Sequence, residues 1–119
     1  MKTNFELVRY FHDAFGIPNH YLLRQPTPEE MDLRIKLIRE EAAELVQALE
    51  DRAPVRDIAK EMADVLFVVY GTAAVFGIDL DAVTERVFVS NMSKTAAPGG
   101  GKAIKGSDYK EPDLSFLDT

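Results

Sequence analysis

The sequence predicts an all-α fold, an antiparallel bundle of four to five helices completed by dimerisation, on three observations. Apolar residues recur three and four apart along most of the chain, the period of an amphipathic helix. Thr27-Pro28-Glu29-Glu30 carries the cap, first-turn proline and returning acid of a helix start. No stretch alternates convincingly as a strand would; Arg86 to Ser90 has some β character but reads better inside a helix.

Taken in order, Thr3 and Asn4 cap a first helix whose apolar residues are Phe5, Val8, Phe11 and Phe15, with His12 beside that stripe and Gly16 as its stop. Ile17 to Gln25 is a connector containing Pro18, His20 and Tyr21. The second helix follows Thr27. Met31, Ile35, Ile38, Ala42, Leu45 and Leu49 form its main core stripe. Leu33, Leu37 and Ala48 form a second apolar strip in which Glu41 and Glu44 are set, while Glu40 falls at the edge of the polar face with Lys36 and Gln47.

A turn at Glu50 to Pro54 leads to a third helix that runs to about Phe76 and stops at Gly77. Its stripe is Val55, Ile58, Met62, Val65 or Leu66, Val69, Ala73 and Phe76, with Glu61 and Asp64 beside it. Beyond Asp64 this helix is apolar on every side, which a small chain cannot bury alone, so a homodimer or larger homo-oligomer is expected. Asp79 caps a fourth helix over Leu80 to Lys94, with Leu80, Val83 and Val87 on one face and Asn91 and Lys94 continuing that line. After Thr95 the composition shifts to Ala-Ala-Pro-Gly-Gly-Gly and then a group of lysines, a tail that is either an ordered substrate clamp or disordered.

With 119 residues, 46% of them hydrophobic, one domain with a modest core is expected, its helical body over 1–95 and its tail over 96–119. A net charge of -6 argues against a general nucleic-acid partner. The absence of cysteine excludes disulfides and thiolate chemistry and is compatible with a reducing compartment, so a cytoplasmic location is expected; the N-terminus lacks a signal-peptide pattern. The longest apolar run, Val65 to Phe76, falls short of the roughly 20 residues that span a bilayer, so no membrane partner is expected.

The chemistry is concentrated in two acidic pairs. Glu41 and Glu44 share one helix face, as do Glu61 and Asp64, because positions three apart lie side by side. Packing these helices together collects four negative charges in one place, which is costly unless protons or cations neutralise them. Four hard oxygen ligands without nearby His or Cys suit Mg²⁺, with Mn²⁺ as a substitute. The plainer reading is two solvated acidic clusters, but placement beside apolar stripes on both helices favours the metal. A di-iron carboxylate site needs Glu-x-x-His, and neither histidine follows a Glu at that spacing. Asn91 and Lys94 can offer an amide and an ammonium to phosphate oxygens, or can simply form a polar helix end.

The pattern Glu40-Glu41-x-x-Glu44 followed by Glu61-x-x-Asp64 resembles the signature of the MazG-like all-α nucleoside triphosphate pyrophosphatases. Phe11-His12, Phe15-Gly16, Tyr70-Gly71-Thr72-Ala73, Gly77-Ile78-Asp79, Ser90-Asn91-Met92-Ser93-Lys94, Gly101-Lys102-x-x-Lys105 and Tyr109 with Pro112-Asp113 are similar to one branch of it. That branch holds phosphoribosyl-ATP pyrophosphohydrolase-like proteins and the dimeric dUTPase-like enzymes. The resemblance implies hydrolysis between the α and β phosphates of a nucleoside triphosphate such as dUTP or another non-canonical or surplus deoxynucleotide, giving a monophosphate and pyrophosphate. It implies Glu41, Glu44, Glu61 and Asp64 as Mg²⁺ ligands, and Glu40, with Glu41, in the catalytic step, orienting water or holding a further ion. It also implies Asn91, Lys94, Lys102, Lys105 and Tyr109 as phosphate contacts. His12, Phe15 and Gln25 are candidates for contacting the base. Phosphoribosyl-ATP hydrolysis and a non-catalytic helical dimer serving as an interaction module are the alternatives.

Overall fold

The computed structural model describes residues 1–118, and among them are four α-helices and almost no strand, so the fold is all-α. The helices are α1 (Asn4–Ala14), α2 (Pro28–Glu50), α3 (Val55–Phe76) and α4 (Leu80–Asn91). A two-residue ladder follows, β1 (Thr95–Ala96) antiparallel to β2 (Ala103–Ile104), and then a single 3-10 turn over Ser115–Leu117. The chain divides into two compact units, Met1–Ile78 and Asp79–Thr119. No single helix among the described residues is long and apolar enough to cross a membrane.

In the first unit the helix starts are written in side chains. Thr27 Oγ1 accepts the Glu30 amide at 3.1 Å and Glu30 returns to the Thr27 amide at 2.8 Å, satisfying two donors that a helix start leaves open. Thr3 and Glu6 make the same reciprocal pair at the start of α1. The short connection over residues 51–54 turns α2 back on α3, and the two pack as an antiparallel helical hairpin; α1 packs on α3. The far end of α3 is closed by the connector between α1 and α2. His20 N donates to Ala74 O at 2.9 Å, and Arg24 N to Phe76 O at 3.0 Å, which supplies partners for the last helical carbonyls. Gly77, at φ 74°, terminates α3 in the left-handed region, and a Cβ there would collide with the Leu22 carbonyl.

The core is small: Phe5, Val8, Ala73, Ala74 and Val75 are its buried hydrophobic residues. Several residues read as core stripe stay open. Phe15 is 70% exposed and Val55 82%, and Phe11, Ile35, Leu49 and Met62 are exposed as well. A single chain has too few opposing elements to cover both faces of α2 and α3, so periodicity identified apolar faces without identifying what covers them. Conversely, Arg9, His12 and Arg34 are buried. Arg34 donates from Nε to Thr72 Oγ1 and from Nη2 to Val68 O, both at 3.0 Å, tying α2 to α3 through neutral acceptors. Arg9 is bracketed by the Phe5 and Tyr21 rings and donates to Asn19 Oδ1 and His20 O.

In the second unit α4 ends at Asn91 rather than Lys94. Ser93 Oγ donates to Ser90 O at 2.6 Å and accepts the Lys110 amide at 2.9 Å, drawing the chain out of helical geometry. The tail is tied back to α4 at Lys110: Ser90, buried, donates from Oγ to Lys110 O at 2.7 Å. The ladder escaped the sequence pattern because two residues per strand cannot display alternation.

Candidate functional site

The α2–α3 hairpin brings together the four acids that the two sequence pairs contain. Glu41, Glu44, Glu61 and Asp64 each offer one carboxylate oxygen, and these atoms all lie within 4.8 Å of one another. Each pair is one helical step on its own helix, and antiparallel packing sets the two steps face to face. Glu44 is exposed and the other three are half-buried.

Electrostatics make this arrangement unstable by itself. Glu41 Oε2 and Glu61 Oε2 are buried with no hydrogen-bond partner among the described residues, a costly condition for carboxylate oxygens. Burial, followed by the charges of Glu44, Asp64 and Glu61, pushes the Glu41 carboxyl up from its ordinary range. Lys60 supplies the local counter-charge: its Nζ stands 2.7 Å from Asp64 Oδ2 and 3.6 Å from Glu61 Oε1, and these contacts hold its ammonium above its usual pKa. The donor set fits a hard divalent cation. Its oxygen separations approach the ~4.2 Å across a Mg²⁺ shell with ligands at ~2.1 Å, and a cation would satisfy the two orphaned oxygens.

Glu40 lies outside this cluster. It is exposed, 4.0 Å from Lys36, on an open surface groove with Asp32, Ile35 and Arg39. His12, by contrast, is only 2% exposed. Its Nδ1 donates to Pro18 O at 2.9 Å, which leaves Nε2 as the unprotonated nitrogen, facing Gly71. Burial lowers the His12 pKa against the opposing pull of the Pro18 carbonyl, and nearby Arg34 lowers it further. The Phe15 ring lies 4.7 Å from that of Phe11 in a tilted contact and is largely exposed, and Gln25 is exposed on the connector.

The phosphate-contact candidates lie in the second unit. Asn91 is the last residue of α4, Lys94 follows it, and Lys102 is exposed just before β2. Lys105 Nζ stands 4.9 Å above the Tyr109 ring and 3.7 Å from Glu111, and Tyr109 OH donates to the same carboxylate at 3.3 Å. Arg34 and Lys60 are not among the residues that the sequence marks as functional, and Ser90 is marked there without a role. A signal existed for Arg34, which falls three after Met31 and four before Ile38, on the core face. Lys60 sits four before Asp64, also on a shared face. Ser90 stands in the motif Ser90-Asn91-Met92-Ser93-Lys94, but its bond to Lys110, far along the tail, has no local signal.

A family model for phosphoribosyl-ATP pyrophosphohydrolase matches residues 8–91, which include both acidic pairs and most of α1 to α4 but none of the tail. An uncharacterized protein, L479, of Acanthamoeba polyphaga mimivirus is 37% identical over 83 residues, covering 66% of this chain and 33% of that protein. The chain thus spans about a third of the length of this curated relative. With the match covering most of the chain and the four acids converging on one point, the protein belongs to the phosphoribosyl-ATP pyrophosphohydrolase family, within the MazG-like all-α superfamily.

Proposed function

We propose that the protein is a nucleotide pyrophosphohydrolase that uses Mg²⁺, or Mn²⁺ in its place, to split a nucleoside triphosphate between its α and β phosphates into a monophosphate and pyrophosphate. The observation that carries this reading is the convergence of Glu41, Glu44, Glu61 and Asp64, with two of their oxygens buried and unsatisfied, in a chain of this family. When bound, a divalent cation supplies charge neutralisation on the phosphates and lowers the pKa of a coordinated water. The four carboxylates hold it. Glu40, one residue before Glu41 and in solvent, is the candidate to orient the attacking water, and no covalent intermediate is required. Asn91, Lys94, Lys102, Lys105 and Tyr109 remain the candidates for phosphate oxygens, on the chemistry of their amide, ammonium and phenol groups. Base selection by His12 would require it to leave its buried position, so exposed Phe15 and Gln25 are the better candidates.

The substrate proposed is dUTP or another non-canonical or surplus deoxynucleotide, which makes the role nucleotide-pool cleaning. Phosphoribosyl-ATP is the second reading, favoured by the family match. A homodimer is part of the proposal, supported by exposed Leu7, Leu66, Phe67 and Met62. A panel of canonical and modified nucleoside triphosphates and phosphoribosyl-ATP, compared by kcat/KM with Mg²⁺, decides the substrate. A preference of at least tenfold for a deoxynucleotide supports the first reading; the reverse preference supports phosphoribosyl-ATP. Turnover of neither would favour a non-catalytic interaction module.

A further inference from the structure

We infer that Lys60 is the resident counter-cation of the metal centre, occupying Asp64 and Glu61 when no metal is bound and competing with the metal for them. The inference rests on the carboxylate site proposed above. Its geometric basis is Nζ 2.7 Å from Asp64 Oδ2 and 3.6 Å from Glu61 Oε1, two of the four candidate ligands. Helical spacing alone brings such a pair near, but in the less favourable lysine-first order; the same order at Lys36–Glu40 closes only to 4.0 Å, whereas Lys60 comes to 2.7 Å of Asp64 and also stands near Glu61. The excess negative charge of the cluster accounts for the closer approach. Lys60 is rooted one turn before Asp64, and its side chain is 67% exposed, so Nζ can swing into solvent without disturbing the core.

Two consequences follow from one charge. Without metal, the ammonium offsets repulsion among four acids and stabilises the hairpin. With metal, Asp64 must exchange an ion pair for a coordination bond, and that exchange weakens affinity. A weakened site favours loading when nucleotide phosphates contribute oxygens of their own, the usual manner of Mg²⁺ binding. Lys60 is thus a positioning residue and does not itself have to touch substrate.

The test is titration of the full chain with Mn²⁺ alone, reading free Mn²⁺ by electron paramagnetic resonance, together with melting of the metal-free protein. Lys60→Gln should bind Mn²⁺ about twofold to fivefold more tightly than the native protein, the order expected for loss of an exposed ion pair. It should also melt lower without metal. Lys60→Arg should restore both values. Lys36→Gln, which removes a charge paired to Glu40 outside the cluster, should leave the affinity unchanged. Equal affinity in Lys60→Gln, weaker affinity, or an equal gain in Lys36→Gln overturns the role of Lys60 while leaving the metal site standing. Absence of Mn²⁺ binding in every variant overturns the site, and the inference with it.

Discussion

Glu41 shows how one side chain can be poor for folding and useful for function. Its carboxyl is pushed up by burial and by three neighbouring acids, so folding favours its protonated form. A raised folded-state pKa means that stability is lost as pH rises through it, leaving the penalty in place at neutral pH. Glu41→Gln is therefore predicted to raise the melting temperature of the metal-free protein by roughly 2–5 °C. The same change should abolish the further rise that Mg²⁺ produces in the native protein, since a ligand bound only by the folded state stabilises it. Two other residues give pH dependence of the opposite sense. Burial holds His12 below 6.5 in the fold, so stability present above the unfolded value falls as pH drops through it, and the urea midpoint should decline between about pH 7 and pH 5. Glu30, held down to about 2 chiefly by hydrogen bonds from Arg24, contributes stability that is lost as pH falls from about 4.5 towards that value.

Among the elements, α3 carries the most: it offers two acids at its middle, receives Arg34 from α2, and ends where the connector crosses it. Gly77→Ala combines a strained left-handed backbone with a clash against the Leu22 carbonyl, neither of which a side-chain rotation relieves. It is predicted to destabilise the fold by at least about 2 kcal/mol in urea unfolding. In the second unit Ser90→Ala removes a buried donor to Lys110 O and should cost about 1–2 kcal/mol and speed amide exchange in residues 107–111. Legibility in the sequence followed the same division. Helix starts at Thr27 and Asp79 and the stop at Gly77 were readable because local side chains and local backbone set them. The end of α4 was not, because Ser93 is held from Lys110, far along the chain. The acidic pairs, and Lys60 one turn before Asp64, were legible through helical spacing alone, but the convergence of the acids to 4.8 Å and the burial of Arg34 depend on how two helices pack.

For the whole molecule, the balance between a small core and a large exposed apolar surface is the dominant fact. Leu66 is 50% exposed, so Leu66→Glu should change an isolated chain by little. In the proposed homodimer it should disperse the assembly, visible as a fall in sedimentation coefficient, and an unchanged coefficient would count against α3 as the interface. The acidic centre and the family match together make the claim that most needs testing: four carboxylates on one helical hairpin support nucleotide pyrophosphohydrolysis. The most direct measurement is a ³¹P NMR spectrum of the preferred triphosphate after incubation with the protein and Mg²⁺, beside Glu61→Gln and a metal-chelated control. Resonances of a nucleoside monophosphate and pyrophosphate, absent from both controls, are the predicted result; a diphosphate with orthophosphate, or the same products from Glu61→Gln, would contradict it.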